Sequence, residues 1–482
     1  MWLRNCDHSF AAGSRRTAAG GRIGRGEMTW KTPSRAALER LLSLEAEAFR
    51  SRRPRSGELF AESRAAWRGG VPFHWMSDWA TPWPIFAVGG KDARITDVDG
   101  LHYDDFCLAD TPAMFGHGLP GFSAAIARRL AHGAGFMTPT PDAPVVGRLL
   151  VERFGLDQWQ MATTATEANR AAIRWSRAVT GRPKVLVFDG GYHGAVDDTF
   201  LSLDGGEPAP KAGLIGQVQD LRDVACVVPF NDLVALEARL ACGDVACVLA
   251  EPVMTNCGMI LPDPGFHREL RRLTRAAGSL LVLDETHTLS SGPGGYVREH
   301  GLDPDIWTCG KAIAGGLPAA VWGVTDAVAK AMDGARARVG QGYSGIGTTL
   351  SGNALAMAAI RHMLEEVMTA SAYDAMLAGA DRLVAGLGRV IAQHGAPWSV
   401  VRAGARVELV FADPPARNAA AMRPALDPLL LDAYHLWLLN RGVLIAPFHN
   451  MMLVSPVTRD EQIDRLVALT GEFSAALETL CS

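Results

Sequence analysis

The chain has 482 residues, of which 48% are hydrophobic and 20% are charged, and its formal net charge is -4. This length allows two or three domains and a large core. The charge excludes a strong electrostatic attraction to nucleic acid or to anionic membranes, and no apolar run reaches the roughly eighteen residues that span a bilayer. The eight cysteines have no metal-binding spacing, so we expect no metal site and reduced thiols in a cytoplasmic protein.

Residues 1–27 differ in composition from the rest of the chain. They are rich in Arg, Gly, Ser and Ala and have no hydrophobic periodicity. We expect a disordered tail, with Met28 opening the first structured stretch. A transit peptide is the alternative, whereas a secretory signal is not expected because the segment lacks an apolar core.

The first structured region extends over residues 28–109 and is expected to be the N-terminal part of a small domain. Leucines among Arg and Glu predict an amphipathic helix over 34–50. An aromatic-rich loop follows over 71–86. Alternating residues around Asp99-Gly100 then predict a β-hairpin over 93–106.

Residues 110–350 have a different pattern, in which short apolar runs alternate with helical periodicity. The clearest runs lie at 184–188, 224–228, 245–250 and 279–283. Strands that are apolar on both faces belong in a mostly parallel sheet covered by helices. This region is therefore expected to be one large α/β domain.

Residues 351–482 predict the remaining part of the small α/β domain, which then contains both ends of the chain. The predicted elements are a strand over 404–411, a helix over 426–440, a strand over 442–447 and a final helix that starts at Thr458. Thr458 and Glu461 have the spacing of a capping box.

Polar residues follow the apolar runs at the point where each strand should end. Glu251 and Asp284 each follow one run directly, Tyr192 and His193 lie just beyond another, and Lys311 ends a shorter one. In an open parallel sheet, ligands bind outside the carboxyl ends of the strands. We therefore expect these side chains to meet at one edge.

Lys311 and Asp284 have side chains suited to an aldehyde cofactor. Lys311 lies among Gly, Ala and Ile without a nearby acid, and desolvation frees such an amine to form a Schiff base. A surface lysine in a turn is the alternative. A buried Asp284 needs a cationic partner, which a protonated pyridine nitrogen or a structural salt bridge could supply.

A phosphate site is predicted where Thr164, Ala165 and Thr166 lead into a helix over 167–179. Free N–H groups and hydroxyls at a helix N-terminus bind anions, although an ordinary threonine N-cap is the alternative. Tyr192 could stack on a cofactor ring or pack within its own loop.

In this order the motifs resemble the class III aminotransferases, which are fold type I pyridoxal-phosphate enzymes, and in particular the branch around glutamate-1-semialdehyde 2,1-aminomutase. The resemblance covers roughly residues 65 to 475. The matching stretches are 97–106, 116–120, 164–168, 171–181, 188–194, 251–258, 284–285, 310–318 and 347–353.

The resemblance implies a role for each matching residue. Lys311 would carry pyridoxal phosphate and move a proton, Asp284 would bind the pyridine nitrogen, and Tyr192 would stack on the ring. The remaining cofactor residues would be Thr164, Ala165 and Thr166 at the phosphate, Glu251 near the phenolic oxygen, His193 and Thr286 around the ring, and Thr349 at the phosphate of the neighbouring subunit. A homodimer with shared active sites is implied.

The chain departs from the family pattern where relatives bind substrate carboxylates. Neither 69–79 nor 442–456 contains an arginine. His74, Trp75 and His449 are the substrate-binding candidates there, with small-domain core as the alternative for these segments. Arg406, or Arg402, is the candidate for a carboxylate. His287, three residues after Asp284, is expected to be a hydrogen-bonding neighbour more than a catalyst.

The function that this resemblance favours is transfer of an amino group from an amine or amino acid, with apolar and β-amino donors included, to a 2-oxo acid. The alternative is an isomerase with the same cofactor, either an aminomutase of the glutamate-1-semialdehyde type or an amino-acid racemase or epimerase. A non-catalytic homologue is a third hypothesis, against which the presence of Lys311 and Asp284 argues.

Overall fold

The computed structural model describes residues 30 and 32–480. The tail predicted over 1–27 lies outside the described residues, as do residues 28, 29 and 31 and the last two residues of the chain.

Helices and strands alternate through the middle of the chain. Within the described part, the α-helices are α1 (Arg35–Arg52), α2 (Pro54–Ser63), α3 (Pro120–Leu130), α4 (Asp142–Phe154), α5 (Ala165–Thr180), α6 (Leu233–Leu240), α7 (Phe266–Ala277), α8 (Gly295–Glu299), α9 (Asp326–Val339), α10 (Ala354–His362), α11 (Ala370–His394), α12 (Ala419–Met422), α13 (Pro428–Asn440) and α14 (Asp460–Leu480). The strands of the same part are β1 (Ala87–Lys91), β2 (Arg94–Asp97), β3 (His102–Asp105), β4 (Gln158–Ala162), β5 (Lys184–Phe188), β6 (Leu201–Asp204), β7 (Glu207–Pro210), β8 (Ala225–Val228), β9 (Val245–Ala250), β10 (Leu280–Asp284), β11 (Ile306–Cys309), β12 (Ala320–Val324), β13 (Ser399–Ala403), β14 (Arg406–Val410), β15 (Val443–Leu444) and β16 (Met451–Leu453).

The central sheet has seven strands in the order β4-β12-β11-β10-β9-β5-β8. The five strands from β11 to β8 run parallel, while β12 is antiparallel to both of its neighbours. This arrangement confirms the predicted α/β fold with a mostly parallel sheet. The apolar runs correspond to β5, β8, β9 and β10, and Asp284 is the last residue of its strand.

Alternation along β5 shows why the sheet is covered on both faces. Leu186 and Phe188 pack in one hydrophobic cluster, and Val185 and Val187 pack in another. Successive side chains of a strand point to opposite faces, so each cluster lies against one face. Helix α7 contributes to the first cluster and α5 to the second.

Two smaller sheets are formed by strands that come before and after the central sheet in the chain. One has the order β1-β2-β3-β15 and the other β13-β14-β16. Strands β2 and β3 form the predicted hairpin, and β3 pairs in parallel with β15 through Asp104 and Val443. Segments from both ends of the chain therefore share one sheet, while the domain boundaries themselves stay predictions.

Two local predictions near the C-terminus are wrong. The strand expected over 442–447 is only Val443–Leu444. The Thr458 hydroxyl accepts a hydrogen bond from the Ser455 N–H at 2.9 Å, so Thr458 does not cap the helix. Helix α14 begins at Asp460, and the side chain of Gln462 accepts from the Arg459 N–H at 2.9 Å.

The described residues contain neither a membrane-length apolar helix nor a group of three or more His, Cys, Asp and Glu side chains that could hold a metal ion. Six cysteines of the described part have free thiols: Cys107, Cys226, Cys242, Cys247, Cys257 and Cys309. The cytoplasmic location stays a prediction.

Candidate active site

Asp284 lies at the carboxyl end of β10, and its buried carboxylate accepts four hydrogen bonds. The donors are Asn169 Nδ2 at 2.8 Å, Thr286 Oγ1 at 2.6 Å, Thr286 N at 3.1 Å and His193 Nδ1 at 3.2 Å. Burial alone would raise the pKa of Asp284, but the hydrogen bond and charge of His193, together with the bonds from Thr286 and Asn169, lower it overall. The site therefore holds an ionised carboxylate.

Asn169 connects the elements around Asp284. It lies on the buried face of α5, accepts a hydrogen bond from Thr308 Oγ1 at 2.7 Å and donates one to the His193 carbonyl at 3.0 Å. The sequence predictions did not include Asn169. A lone amide among the alanines of the buried face of α5 is the signal that could have identified it.

Lys311 follows β11, the strand beside β10. Asp284 of β10 pairs in parallel register with Thr308 of β11. The hydroxyl of Thr286 accepts a hydrogen bond from the Gly310 N–H at 3.3 Å, so the two strand ends are tied together. Lys311 has a φ of 52°, which is unfavourable for a residue with a side chain and is typical of functional sites. Its Nζ lies 2.6 Å from Asp110 Oδ2 and 2.5 Å from His287 Nε2.

Asp110 belongs to a backbone segment after β3 in which four consecutive non-glycine residues, Leu108, Ala109, Asp110 and Thr111, have φ values of 47°, 55°, 55° and 98°. Burial would raise the pKa of Asp110, but the positive charge of Lys311 and the proximity of His287 and Arg406 hold it well below its usual range. The sequence predictions missed Asp110. An acid within the largely apolar stretch 106–115 was the available signal.

Glu251, at the end of β9, is surrounded by hydrogen-bond donors. Its Oε1 accepts from the Tyr192 N–H at 3.2 Å. Its Oε2 accepts from Thr255 N at 3.1 Å, Thr255 Oγ1 at 2.5 Å and Asn256 Nδ2 at 3.0 Å. The Thr255 hydroxyl also lies 2.7 Å from His287 Nδ1, which connects Glu251 to the surroundings of Lys311.

The N-terminus of α5 has the features of an anion site. Thr164 is the N-cap, and its hydroxyl accepts from the Glu167 N–H at 3.3 Å. The Thr166 hydroxyl accepts from the Ala195 N–H at 3.1 Å, which ties this end of the helix to the loop after β5. The backbone N–H groups of the first turn and the helix dipole favour a bound phosphate here. A side chain at Gly310 would press on Ala165, with a Cβ–Cβ distance of 3.1 Å.

Tyr192 presents an aromatic ring beside these groups, with 39% of its surface exposed. Burial of the remainder, followed by the charges of Asp110 and Asp284, raises the pKa of its hydroxyl. The ring is therefore close to both carboxylates and has an accessible face.

Arg406 is fully buried next to the Lys311 group. Its Nε donates to the His287 carbonyl at 2.9 Å, its Nη1 lies 2.6 Å from Met451 Sδ, and its Nη2 donates to the Thr111 hydroxyl. Burial lowers the pKa of Arg406 to about 10, partly offset by the charges of Asp110 and Glu251. Arg402 instead pairs with Asp381.

The other predicted substrate residues lie in different surroundings. His449 is buried, with Nδ1 2.9 Å from Glu408 Oε1. His74 and Trp75 are exposed in the 71–86 loop, with ring centroids 4.7 Å and 6.3 Å from that of Phe73. The hydrogen-bond partners of Lys311 Nζ within the described residues are Asp110 and His287. Trp83, in the same loop, packs in a small hydrophobic cluster, with its ring centroid 5.8 Å from that of Phe49. For Trp83 this is the packing expected of a residue in the core of the small domain, which was the alternative to substrate binding.

Thr349 is exposed and is not brought to Lys311 within this chain. Its neighbour Thr348 lies 3.5 Å from the Thr163 hydroxyl, just before the predicted phosphate site. The prediction that Thr349 acts in a neighbouring subunit therefore stays a prediction.

Comparison with known proteins assigns the fold and its chemistry to one family. Residues 75–475 match the family model of the class-III aminotransferases. The chain belongs to this family. It is 34% identical over 427 residues to a glutamate-1-semialdehyde 2,1-aminomutase from Roseiflexus castenholzii, covering 87% of this chain and 96% of the relative.

Solved structures agree with this assignment. A glutamate-1-semialdehyde-aminomutase from Pseudomonas aeruginosa PAO1 has a TM-score of 0.90 and 44% identity, covering 93% of this chain and all of that one, and a variant of it was solved in complex with PMP. A β-phenylalanine aminotransferase from Variovorax paradoxus has a TM-score of 0.82 and 26% identity, covering 92% and 98% of the two chains. The chain is therefore a pyridoxal-phosphate enzyme. The residues of the site suit this cofactor. The ionised carboxylate of Asp284 matches a protonated pyridine nitrogen, the amine of Lys311 matches an aldehyde, and the N-terminus of α5 matches a phosphate.

Proposed function

We propose that Lys311 binds pyridoxal phosphate covalently and that Asp284 holds the proton of its pyridine nitrogen. The observation that carries this proposal is the placement of both residues at the carboxyl ends of neighbouring parallel strands, joined by the hydrogen bond between Gly310 and Thr286. The bound cofactor supplies an electron sink for the carbon that bears the substrate amino group. An Asp284 that stays ionised keeps that sink effective.

The remaining cofactor contacts are proposed from the same strand ends. Thr164, Ala165 and Thr166 would hold the phosphate at the N-terminus of α5, and Tyr192 would cover the ring. Glu251 orders the loop that contains Tyr192 by accepting its backbone N–H. His193 and Thr286 both donate to Asp284 and so orient its carboxylate.

For the reaction, we propose an aminomutase that relocates an amino group within one substrate. The extent of similarity to proteins named glutamate-1-semialdehyde aminomutases supports this function more than the transfer to a 2-oxo acid expected from the sequence. The amine of Lys311 would move a proton between the substrate carbon and the cofactor. Asp110 and His287, both within hydrogen-bonding distance, would hold that amine at the reacting position.

We propose that the substrate carries one carboxylate, which Arg406 recognises. A buried guanidinium is costly unless it meets acceptors, and the contacts of Nη1 are with the weak acceptor Met451 Sδ. Met451 has a flexible side chain that can move aside. A carboxylate would then receive the bidentate pair of N–H groups that arginine offers.

Transfer between two substrates is the second candidate, and the exposed aromatic loop favours it. Phe73 and Trp75 are 54% and 42% exposed, with ring centroids 6.3 Å apart. Exposed aromatic side chains without an arginine suit an apolar or β-amino donor.

Turnover with and without a 2-oxo acid separates the two candidates. The enzyme is incubated with glutamate-1-semialdehyde alone, and separately with a panel of aromatic amines, β-amino acids and glutamate plus pyruvate or 2-oxoglutarate. An aminomutase forms the rearranged product without an acceptor. Turnover only with an acceptor would reject the aminomutase, and loss of optical activity without rearrangement would indicate a racemase.

The position of the covalent linkage is tested independently of the substrate. Borohydride reduction followed by peptide mass spectrometry should place the cofactor on Lys311, and Lys311→Ala should fold yet carry no reducible label. A label on another lysine would reject the assignment.

A further inference from the structure

We propose that His287 is a positioning residue for Lys311, and that Thr255 and Glu251 lock its ring so that an unprotonated Nε2 faces the lysine amine. This inference rests on the proposed role of Lys311. It assigns a specific task to a residue that the sequence suggested only as a hydrogen-bonding neighbour.

The hydrogen bonds determine the tautomer of His287. Oε2 of Glu251 already accepts N–H groups from Thr255 and Asn256, so its contact with the Thr255 hydroxyl, at 2.5 Å, uses the hydroxyl proton. The Thr255 oxygen can then only accept from His287 Nδ1, which lies 2.7 Å away. The proton of the neutral ring is therefore on Nδ1, and the lone pair of Nε2 points to Lys311 Nζ, 2.5 Å away.

The surroundings of His287 keep the ring neutral. Burial, followed by the positive charges of Lys311 and Arg406, lowers its pKa to about 4, although Asp110 acts in the opposite direction. The ring therefore acts as an acceptor near neutral pH and not as an acid.

The backbone of His287 is also held in place. Its carbonyl accepts from Arg406 Nε at 2.9 Å and from Ser290 Oγ at 3.1 Å. Ring and backbone are thus both held by contacts within the protein.

The consequence is a fixed direction for a flexible side chain. A lysine loses considerable rotamer freedom when its amine is immobilised. His287 Nε2 and Asp110 Oδ2 together hold Nζ, and these two side chains approach each other to 3.7 Å. A nucleophile that is already oriented reacts faster with a bound aldehyde than one that must search.

The test compares two replacements of His287 in the cofactor-free form of the full-length enzyme. His287→Gln retains an oxygen that can accept from Lys311, whereas His287→Leu fills the space without an acceptor. Pyridoxal phosphate is added, the reaction is stopped with borohydride at set times, and labelled Lys311 is counted by mass spectrometry. We expect His287→Leu to slow labelling about tenfold or more, and His287→Gln to stay within about threefold of the wild type.

Thr255→Val is a second variant that leaves His287 intact but removes the hydroxyl that accepts from Nδ1, so the position of the ring proton is no longer fixed. It should slow labelling by a smaller factor, between those of the two His287 variants. Thermal unfolding of each variant identifies any that fail to fold. The labelling rate of His287→Gln then needs to be compared with that of only one other folded variant, His287→Leu or Thr255→Val.

Binding of pyridoxamine phosphate is the control, because it has no aldehyde and cannot bond to Lys311. All folded variants should bind it with wild-type affinity. Equal slowing in His287→Gln and His287→Leu, or unchanged labelling in His287→Leu, would overturn the proposal. If His287→Leu does not fold, unchanged labelling in Thr255→Val would overturn it. Failure of the wild type itself to bind pyridoxamine phosphate or to be labelled at Lys311 would instead reject the proposed function.

Discussion

Asp110 and Lys311 form an ion pair in which Oδ2 of the carboxylate lies 2.6 Å from Nζ, although the two residues are 201 positions apart in the chain. The pair joins the loop after β3 to the end of β11. Asp110 therefore couples the N-terminal segment of the described chain to the proposed catalytic lysine.

Asp110→Asn tests the contribution of this pair to stability. The pKa of Asp110 is lowered in the folded protein, so its stabilisation is present above the unfolded value of about 3.9 and is lost as the pH falls below it. We expect the variant to unfold at a lower temperature than the wild type at pH 7, and the difference to shrink as the pH is lowered from about 5 to 3. Thermal unfolding of the cofactor-free protein across this range measures it, because the amine of Lys311 is then free to pair with Asp110.

Asp92→Asn is the matched control for this prediction. Asp92 also has a left-handed backbone, with a φ of 56°, but is exposed. Asparagine tolerates such a backbone, so both substitutions remove a charge without adding strain. A pH-dependent loss of the same size in both variants would contradict the role of the ion pair.

Asp284→Asn is expected to retain the cofactor but to lower turnover by roughly a hundredfold or more, because a neutral amide cannot hold the pyridine proton. Cofactor absorbance and steady-state rates measure the two effects. Asp189→Asn is the control, since Asp189 is also buried at a strand end but pairs with Arg423. Turnover of Asp284→Asn close to that of the wild type would remove Asp284 from the mechanism.

The strands of the central sheet could be predicted closely because each one is marked by a short apolar run within its own sequence. The apolar runs at 184–188 and 245–250 coincide with β5 and β9. The hairpin turn was also predictable, because Gly100 provides the positive φ of 78° that the turn requires. The capping box failed because the Thr458 hydroxyl has a competing local partner in Ser455.

The cofactor residues could be predicted from motifs, but their supporting contacts could not. Asn169 and Asp284 are 115 residues apart, and Asp110 and Lys311 are still further apart. No periodicity encodes such pairs. The contact between His287 and Lys311 depends on how two adjacent strand ends approach each other, which the sequence alone does not specify.

Thr349→Val tests whether active sites are shared between subunits. If the hydroxyl binds the cofactor phosphate of a neighbouring subunit, its loss should weaken cofactor binding about tenfold, while sedimentation still shows a dimer. Thr348→Val is the control, because Thr348 contacts Ser351 of its own chain. A fully active monomer would contradict the shared site.

His449→Gln tests a buried charge pair whose stabilisation depends on pH. His449 Nδ1 lies 2.9 Å from Glu408 Oε1, and the buried Glu408 Oε2 has no hydrogen-bond partner among the described residues. Burial would lower the pKa of His449, but the charge and hydrogen bond of Glu408 and the charge of Asp110 outweigh burial and Arg406, so the pKa is raised. A raised pKa means that the stabilisation is fully present below the unfolded value of about 6.5 and is lost as the pH rises through the folded value.

We therefore expect His449→Gln to lower the free energy of unfolding at pH 6 by roughly 3–5 kcal/mol, because it leaves Glu408 buried without a counter-charge. At pH 9 to 10 the loss should be smaller, because the wild-type ring is then neutral as well. His267→Gln is the control: burial lowers the pKa of His267 to about 4, so its effect should not vary over this range. A pH-independent loss in His449→Gln would show that His449 contributes by packing and not by its charge.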